Sequence, residues 1–516
     1  MRDGAGSPYG LRNVRSAIGH YLLGRGAGAI AGLASAVLLV RHMPLTAYAG
    51  YTAVMGLAGI ASMLVSLGLD RVATRYVPEA RLGNCPALLR VLVWRLAAVR
   101  LLAAAALCTC LALAWPWVVR WFDFVTLQSM PLALAVYFLA AATSGLMATA
   151  LQALVRQRLL TRISVLQWGG RLAWIAWIVA YGTDLGLQQV LWIMALPELA
   201  AAAVLSVAVD SALRLVPSAG EARDRMHRWP DWREVRHLAK HSYSFNVLAS
   251  LPQGYFMRTL VAATLPVETV AAFGFFSNLV DRLRMYLPMQ LMYNLIEPVM
   301  VARYLQSGDS DALNRNAQLA LKINVIVLAF ALIVLVIGGT QIIGALTNGR
   351  FVDEAWIVIL LVLQLISGSQ VLNMQLVLNV FKANRILTRA GLYALVVMLL
   401  FLAACLFTEH PILILFGPLL YSAMVNSIAR LTMRRDAVPY EARLQNSAAI
   451  VLLAAIVSLA VRLATDQLNG MSFLGAAAVI VSTLTGFLLL LVLFGLIGRH
   501  DVATIIGTVR DRTSSS

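Results

Sequence analysis

The chain has 516 residues, of which 60% are hydrophobic and only 13% are charged. This composition excludes a soluble globular protein, because a soluble fold must present a largely polar surface to water. The net charge of +17 does not indicate a nucleic-acid partner, since the basic residues lie in short loops between apolar runs, as the positive-inside rule describes for membrane proteins.

The apolar residues form about fourteen runs, each long enough for a helix that crosses the hydrocarbon core of a bilayer. The sequence therefore predicts an all-α integral membrane fold. The predicted spans are 18–40, 47–69, 96–119, 131–154, 164–181, 188–209, 242–264, 269–300, 319–341, 355–380, 387–407, 411–431, 447–465 and 471–497.

The distribution of charges between the spans predicts the topology. Arginines such as Arg71, Arg75 and Arg81 follow the second span, whereas Asp123 and Asp184 lie in loops of the opposite side. Because arginine and lysine accumulate on the cytoplasmic side, this alternation places both termini in the cytoplasm. The tails are then 1–17 and 498–516.

An internal repeat divides the chain into two halves. Aligning each position n with n + 222 superposes residues 44–51 on 266–273 and Arg81 on Arg303. The predicted domains are an N-terminal six-helix lobe at 18–209, a C-terminal six-helix lobe at 242–431 and an extra helix pair at 447–497. Two pseudo-repeated membrane halves are typical of alternating-access transporters.

The longest cytoplasmic loop, 210–241, joins the predicted lobes and contains basic and acidic residues in similar numbers. Its tryptophans, Trp229 and Trp232, predict an amphipathic helix at the membrane interface. A partner-binding role for this linker is the alternative.

Six arginines fall within or at the edge of predicted spans, where a charge is costly unless it faces a cavity or a partner. They are Arg25, Arg100, Arg171, Arg258, Arg282 and Arg284, and all except Arg100 are candidate binding residues. Guanidinium groups bind phosphates through paired hydrogen bonds, so an arginine-lined cavity favours an anionic cargo such as a diphosphate. As alternatives, Arg25 could extend to the headgroups, and Arg284 could pair with Asp281 three residues earlier.

Three acidic residues at membrane depth are candidates for binding a coupling proton or cation. They are Glu198 after Pro197, Asp281, and Glu297 before Pro298. Glu198 and Glu297 could instead be interfacial acids at helix ends. The glycines around Arg25 do not form a phosphate-binding loop, because no Walker A lysine follows them; Gly28-x-x-x-Gly32 indicates close helix packing instead. No cofactor and no metal site is predicted.

Three segments carry a resemblance to a known family. They are Leu39–Pro44 with Tyr48–Tyr51, Leu67–Arg71 with Arg75–Glu79, and Leu346–Phe351. With the overall layout, they make the chain resemble the polysaccharide/O-antigen flippase branch of the multidrug/oligosaccharidyl-lipid/polysaccharide (MOP) exporter superfamily. This resemblance implies a V-shaped pair of lobes in the bacterial inner membrane and a cargo of undecaprenyl-diphosphate-linked oligosaccharide. It also implies diphosphate contacts from Arg25, Arg258 and either Arg282 or Arg284.

The hypothesis is a non-enzymatic, ion-driven flippase of a polyprenyl-diphosphate-linked oligosaccharide, with Arg25, Arg171 and Arg258 holding the diphosphate. Membrane lipids, a glycan polymerase and export machinery are the expected partners. One alternative is a drug or cation antiporter of the same superfamily, which usually has twelve helices and an acidic cavity. The other is a membrane glycan polymerase or ligase, which generally needs large outward loops that this sequence lacks.

Overall fold

A computed structural model describes residues 11–82, 86–122, 131–182, 184–215, 231–250, 254–290, 309–381, 385–408, 410–436, 444–466 and 473–496, with residues 383, 438, 440 and 498. Within these ranges the regular structure includes sixteen whole α-helices and one 3₁₀-helix, and there is no β-strand. The all-α prediction is confirmed. The helices form two compact units, Met1–Phe275 and Phe276–Ser516.

The first unit contains nine whole helices among its described residues, and a tenth begins there. They are α1 (Leu11–His42), α2 (Leu45–Ser66), α3 (Leu69–Leu82), α4 (Pro86–Phe122), α5 (Pro131–Ala153), α6 (Gln157–Ala180), α7 (Leu187–Arg214), α8 (Trp232–Ser250), α9 (Gly254–Thr264) and α10 (Val267–Tyr286). The boundary between the units falls within α10.

The second unit is built mainly from six α-helices and the 3₁₀-helix in its described part. They are α11 (Ser310–Thr347), α12 (Ala355–Val380), α13 (Arg385–Leu406), the 3₁₀-helix (Pro411–Phe416), α14 (Gly417–Arg435), α15 (Leu444–Asp466) and α16 (Phe473–Leu493). The C-terminal pair, α15 and α16, packs against α11, where Phe487 meets the Phe330 ring edge-to-face at a centroid distance of 5.9 Å.

Among the described residues, eleven helical segments are long and apolar enough to cross a membrane by length and composition. They coincide with eleven of the predicted spans. The other three predicted spans coincide with α1, with α8 together with α9, and with α10. A fold of about fourteen transmembrane helices is therefore consistent with every described element.

Two predicted spans end or break at prolines. The prediction at 242–264 becomes two helices, α8 ending at Ser250 and α9 beginning at Gly254, with Pro252 between them. The prediction at 269–300 becomes α10, which ends at Tyr286, and helical geometry resumes at Pro288. Proline has no backbone N–H and disfavours helical geometry in the residue before it, which explains both positions. Residues 251–253 and 291–300 lie outside the described residues.

The short helix α3 was not predicted from the sequence, because its residues read as a basic loop. One face is buried against the core of the first unit through Val72, Ala73, Tyr76, Val77 and Ala80. The opposite face exposes Arg71 and Arg75. A left-handed turn at Leu67 (φ 45°) and Gly68 (φ 72°) separates α2 from α3, and a Cβ at Gly68 would overlap the Ala239 carbonyl oxygen of α8.

The helix that follows the linker starts at Trp232 and packs inward. Trp232 is partly buried against the core of the first unit, and the Arg95 guanidinium of α4 lies 4.7 Å from its ring centroid. The predicted interfacial helix is therefore the start of α8, with Trp232 directed towards protein. Trp229 and the remaining linker residues 216–230 lie outside the described residues.

The close approach of α2 and α10 bears on the internal repeat. A Cβ at Gly274 would overlap the Thr52 hydroxyl oxygen, so the Thr52 side chain packs directly against the Gly274 backbone. Because 52 + 222 = 274, the offset of the repeat pairs these same two positions. The boundaries of the two lobes remain a prediction.

The packing at Gly274 generates a stability prediction. Thr52 is buried, with its hydroxyl donating to the Tyr48 carbonyl at 3.1 Å, so it has no room to move. Gly274→Ala should lower the free energy of unfolding by about 1–3 kcal/mol through overpacking. Thermal unfolding in detergent would measure the change.

The matched control is Gly170→Ala in α6, where an added Cβ meets nothing within 4 Å. Because alanine favours a helix more than glycine does, this variant should match the wild type or gain up to about 1 kcal/mol. Equal stability of the two variants would contradict the proposed helix contact.

Candidate functional site

Arg171 lies in the middle of α6 with only 4% of its surface exposed. Its guanidinium forms a buried ion pair with Glu198 of α7 and donates a second hydrogen bond to the Met194 carbonyl at 3.2 Å. Pro197 lies inside α7 between these two acceptors and removes one backbone donor there. Arg171 thus joins α6 to α7 at the point where α7 is locally weakened.

The Glu198 carboxylate is surrounded by three donors from two neighbouring helices. The Ser144 hydroxyl of α5 donates to Oε1, while the Gln167 amide, at 2.5 Å, and Arg171 both donate to Oε2. A buried carboxylate in an apolar environment is tolerated only when it is paired and hydrogen-bonded in this way. The ion pair therefore carries no net charge.

Trp168 connects Arg171 to α1. The Arg171 guanidinium carbon lies 4.9 Å from the Trp168 ring centroid, within cation–π distance. A Cβ at Gly28 of α1 would lie 3.4 Å from Trp168 Cδ1, and one at Gly24 would overlap Thr161 within 2.6 Å. The glycines of α1 thus pack against α6, as the sequence predicted for Gly28.

Arg258 lies in α9 and is also buried, with 4% of its surface exposed. Its guanidinium carbon is 5.6 Å from the ring centroid of Tyr255. Two glycines of α2 make room for α9: a Cβ at Gly56 would lie 3.0 Å from the Arg258 Cβ, and one at Gly59 would overlap the Tyr255 ring. Arg258 is therefore held at the contact between α2 and α9.

Tyr137 of α5 is an electrostatic neighbour of Arg171 and of Tyr255, the ring on which Arg258 stacks. Its hydroxyl is within electrostatic range of Arg171 and Glu198, and also of Tyr51 and Tyr255. Because Arg258 stacks on Tyr255, the charged groups of α6, α7 and α9 share one aromatic neighbourhood in the first unit. We call Tyr51, Tyr137, Ser144, Gln167, Trp168, Arg171, Glu198, Tyr255 and Arg258 the charge cluster.

A third buried arginine, Arg100, was not among the site residues predicted from the sequence. Arg100 of α4 pairs with Asp70 of α3, with Nη1 and Oδ1 2.5 Å apart, and its side chain is 7% exposed. A Cβ at Gly145 of α5 would lie 3.3 Å from Arg100 Nη2, so the glycine provides the space. An arginine inside an apolar run was the available signal, but its partner was hidden in the unpredicted helix α3.

The remaining predicted site residues are distributed as follows. Asp281, Arg282 and Arg284 are half-buried on the last two turns of α10, in the second unit. Arg25 lies within α1, but its side chain is outside the described part of the chain, as is Glu297 altogether. The structure brings Arg171 and Glu198 together, places Arg258 near the same tyrosines, and leaves the roles of all eight residues as predictions.

Comparisons with known proteins identify the fold. No protein-family model and no curated protein matches the chain. The lipid II flippase MurJ, in an inward closed conformation, superposes with a TM-score of 0.63 at 10% identity, covering 90% of this chain and 97% of that chain. An inward-facing multidrug resistance MATE family transporter of the MOP superfamily gives 0.61 at 12% identity, covering 79% and 95%. The chain therefore has the fold of these membrane transporters over most of its length.

The buried ion pair generates a second stability prediction. Glu198→Ala leaves the Arg171 charge buried without its partner, which should lower the free energy of unfolding by about 3–5 kcal/mol. The double variant Arg171→Met/Glu198→Leu removes both charges and should cost much less. Thermal unfolding in detergent would test this, and a single variant as stable as the double would show that the pair is not formed.

Proposed function

We propose that this protein is a flippase of the MOP superfamily that moves a polyprenyl-diphosphate-linked oligosaccharide across the bacterial inner membrane by alternating access. The observation that carries the proposal is the pair of buried arginines, Arg171 and Arg258, within the membrane-spanning part of a transporter fold. Intramembrane arginines are costly and usually mark a substrate pathway. The fold shared with a lipid flippase supports the same assignment.

The proposed diphosphate ligands are Arg25, Arg171, Arg258, Arg282 and Arg284. A diphosphate presents several oxygens that a guanidinium can bind in pairs, and hydrogen bonds of this kind are among the strongest in proteins. Arg171 and Arg258 are both preorganised by an aromatic ring, Trp168 and Tyr255. A planar guanidinium that is already oriented loses less freedom when it binds an anion.

Coupling to an ion gradient is assigned to the acidic residues Glu198, Asp281 and Glu297. Of these, Glu198 has the most complete set of described contacts, and its carboxylate is placed directly against a proposed cargo ligand. A proton is the simplest ion for such a site, because the carboxylate is surrounded by hydrogen-bond donors and has no other described acidic partner to share a metal cation.

The second candidate is a drug or cation antiporter, which the fold shared with a multidrug transporter favours. Such a protein needs an acidic site of net negative charge for a cationic substrate. In the first unit the buried acid Glu198 is already paired with Arg171, so it offers no net negative charge to a cationic substrate. This balance favours an anionic cargo.

A glycan polymerase or ligase would have to form a glycosidic bond. The contacts described for the charge cluster do not favour that reaction over transport.

A flipping assay in proteoliposomes tests the proposed ligands. Removing an arginine that binds phosphate should cost a charge-assisted hydrogen bond of about 1.5–3 kcal/mol. Flipping of a fluorescent polyprenyl-diphosphate-linked saccharide by Arg258→Ala or Arg25→Ala should therefore fall about tenfold to a hundredfold.

The control is Arg214→Ala, which removes an arginine that is exposed at the end of α7 and should leave flipping unchanged. Full activity of both Arg25→Ala and Arg258→Ala would remove the proposed binding site. Drug resistance upon overexpression, without flipping, would favour the antiporter.

The proposed topology has both termini in the cytoplasm, and it can be tested by cysteine labelling. In a cysteine-free variant, Asp184→Cys and Ser211→Cys place thiols at exposed positions near opposite ends of α7. A membrane-impermeant maleimide should label residue 184 in intact spheroplasts and residue 211 only after permeabilisation. The reverse pattern would invert the topology.

A further inference from the structure

We propose that Arg171 and Glu198 form an exchange pair: an anionic phosphate of the cargo replaces the Glu198 carboxylate on Arg171, and Glu198 takes up one proton as it is displaced. The inference rests on the proposed function and describes how the same site handles charge. The reaction is a ligand exchange with protonation, in which a proton from water binds a Glu198 oxygen and no covalent bond between heavy atoms changes.

The first step of the argument concerns the hydrogen bonds of Arg171. A guanidinium has five N–H donors, and the contacts found for Arg171 use Nη2 towards Glu198 and the Met194 carbonyl. Its Nε is buried and has no hydrogen-bond partner. A buried donor without a partner is unfavourable, so Arg171 has unused capacity for an acceptor with more oxygens. A diphosphate has that capacity.

The second step concerns what Glu198 retains after it loses Arg171. The Ser144 hydroxyl and the Gln167 amide remain within hydrogen-bond distance of the carboxyl group. A protonated carboxyl can donate as well as accept, and the Ser144 oxygen can accept its proton while the hydroxyl donates to the Ala141 carbonyl at 3.3 Å. The neutral acid is therefore accommodated, whereas an unpaired carboxylate at this depth would be costly.

The third step concerns the groups that surround Glu198. Tyr137 of α5 interacts electrostatically with Glu198, and Tyr51 of α2 and Tyr255 of α9 are electrostatic neighbours of Tyr137. From α4, Arg100 approaches α5 next to Ser144, but it is paired with Asp70. Arg258 stacks on Tyr255 and is itself a proposed cargo ligand. Among these described groups, each cation is paired or assigned to the cargo, so a proton is the charge that replaces Arg171 at Glu198.

The exchange couples binding of the cargo to binding of a proton by Glu198. If cargo binding promotes protonation of Glu198, acidification must promote cargo binding by the same factor. A strictly coupled proton changes the logarithm of the binding constant by about one for each pH unit. The buried site contains one guanidinium and one carboxyl group before and after the exchange, and no uncompensated charge is created at Glu198.

Calorimetric titration of the full-length protein in nanodiscs with farnesyl diphosphate tests the exchange. Titrations in two buffers that differ in their enthalpy of ionisation give the number of protons taken up for each ligand bound. The wild type should take up about one proton more than Glu198→Gln, in which the amide imitates the neutral acid. Protons that the diphosphate itself gains or loses on binding contribute equally in both proteins, so they cancel when the two proton counts are subtracted. Glu198→Gln should also bind the probe more tightly at neutral pH.

Two further variants complete the experiment. Asp210→Asn changes an acid on the same helix that pairs with Arg90 and Arg214 at the surface, and it should keep the wild-type proton count. Arg171→Gln/Glu198→Gln leaves no lone charge and should bind the probe weakly, with the proton count of Glu198→Gln. If Glu198→Gln does not fold, the comparison of the wild type with this double variant provides the same difference.

The outcomes separate the inference from the proposed function. Equal proton counts in the wild type and in the folded Glu198 variants would overturn the exchange, while binding of the probe would leave the flippase assignment in place. Wild-type affinity in Arg171→Gln/Glu198→Gln would also overturn it, because Arg171 would then not bind the anion. Failure of the wild type and of every variant to bind the diphosphate would overturn the proposed function and the exchange with it.

Discussion

The cost of placing a charged side chain in hydrocarbon determines much of how this protein is organised. An arginine at membrane depth must find a counter-charge, a hydrogen-bond acceptor or an aromatic face. The first unit meets this requirement in three ways. Arg171 has Glu198, a carbonyl and a tryptophan; Arg100 has Asp70; and Arg258 has a tyrosine ring.

Glycines determine where these arginines can be accommodated. Lipid tails are as apolar as leucine, so helices associate in a membrane through close packing, for which small residues are suited. Each buried arginine has a glycine of a neighbouring helix beside it or beside its aromatic partner: Gly145 for Arg100, Gly56 for Arg258 and Gly28 for Trp168. The glycines therefore provide the space in which the buried arginines and their aromatic partners pack.

The fold is shared by proteins that transport very different molecules. MurJ and the MATE transporter superpose on most of this chain at 10% and 12% identity, so the helical framework is maintained by patterns of apolarity and size. Function must then be argued from the side chains placed on that framework. In this protein the proposal of an anionic cargo rests on the buried arginines Arg171 and Arg258 and on the carboxylate of Glu198 beside Arg171.

The sequence by itself determined the features that depend on local composition. Apolar length specified the membrane-spanning helices, and Pro252 and Pro288 lie where two of the predicted spans are interrupted. It also identified Arg171, Glu198 and Arg258 as unusual, because a charge in an apolar run is visible without any structure.

Tertiary structure alone decided which of these charges meet. Residues 171 and 198 are 27 positions apart, and residues 70 and 100 are 30 apart, so their pairing depends on how separate helices are rotated and packed. Helix α3 was missed for the same reason: its apolar face is too short to span a membrane, and it is stable only because the first unit covers it. Side-chain pairing between helices is a property of the packed bundle, which local sequence patterns do not encode.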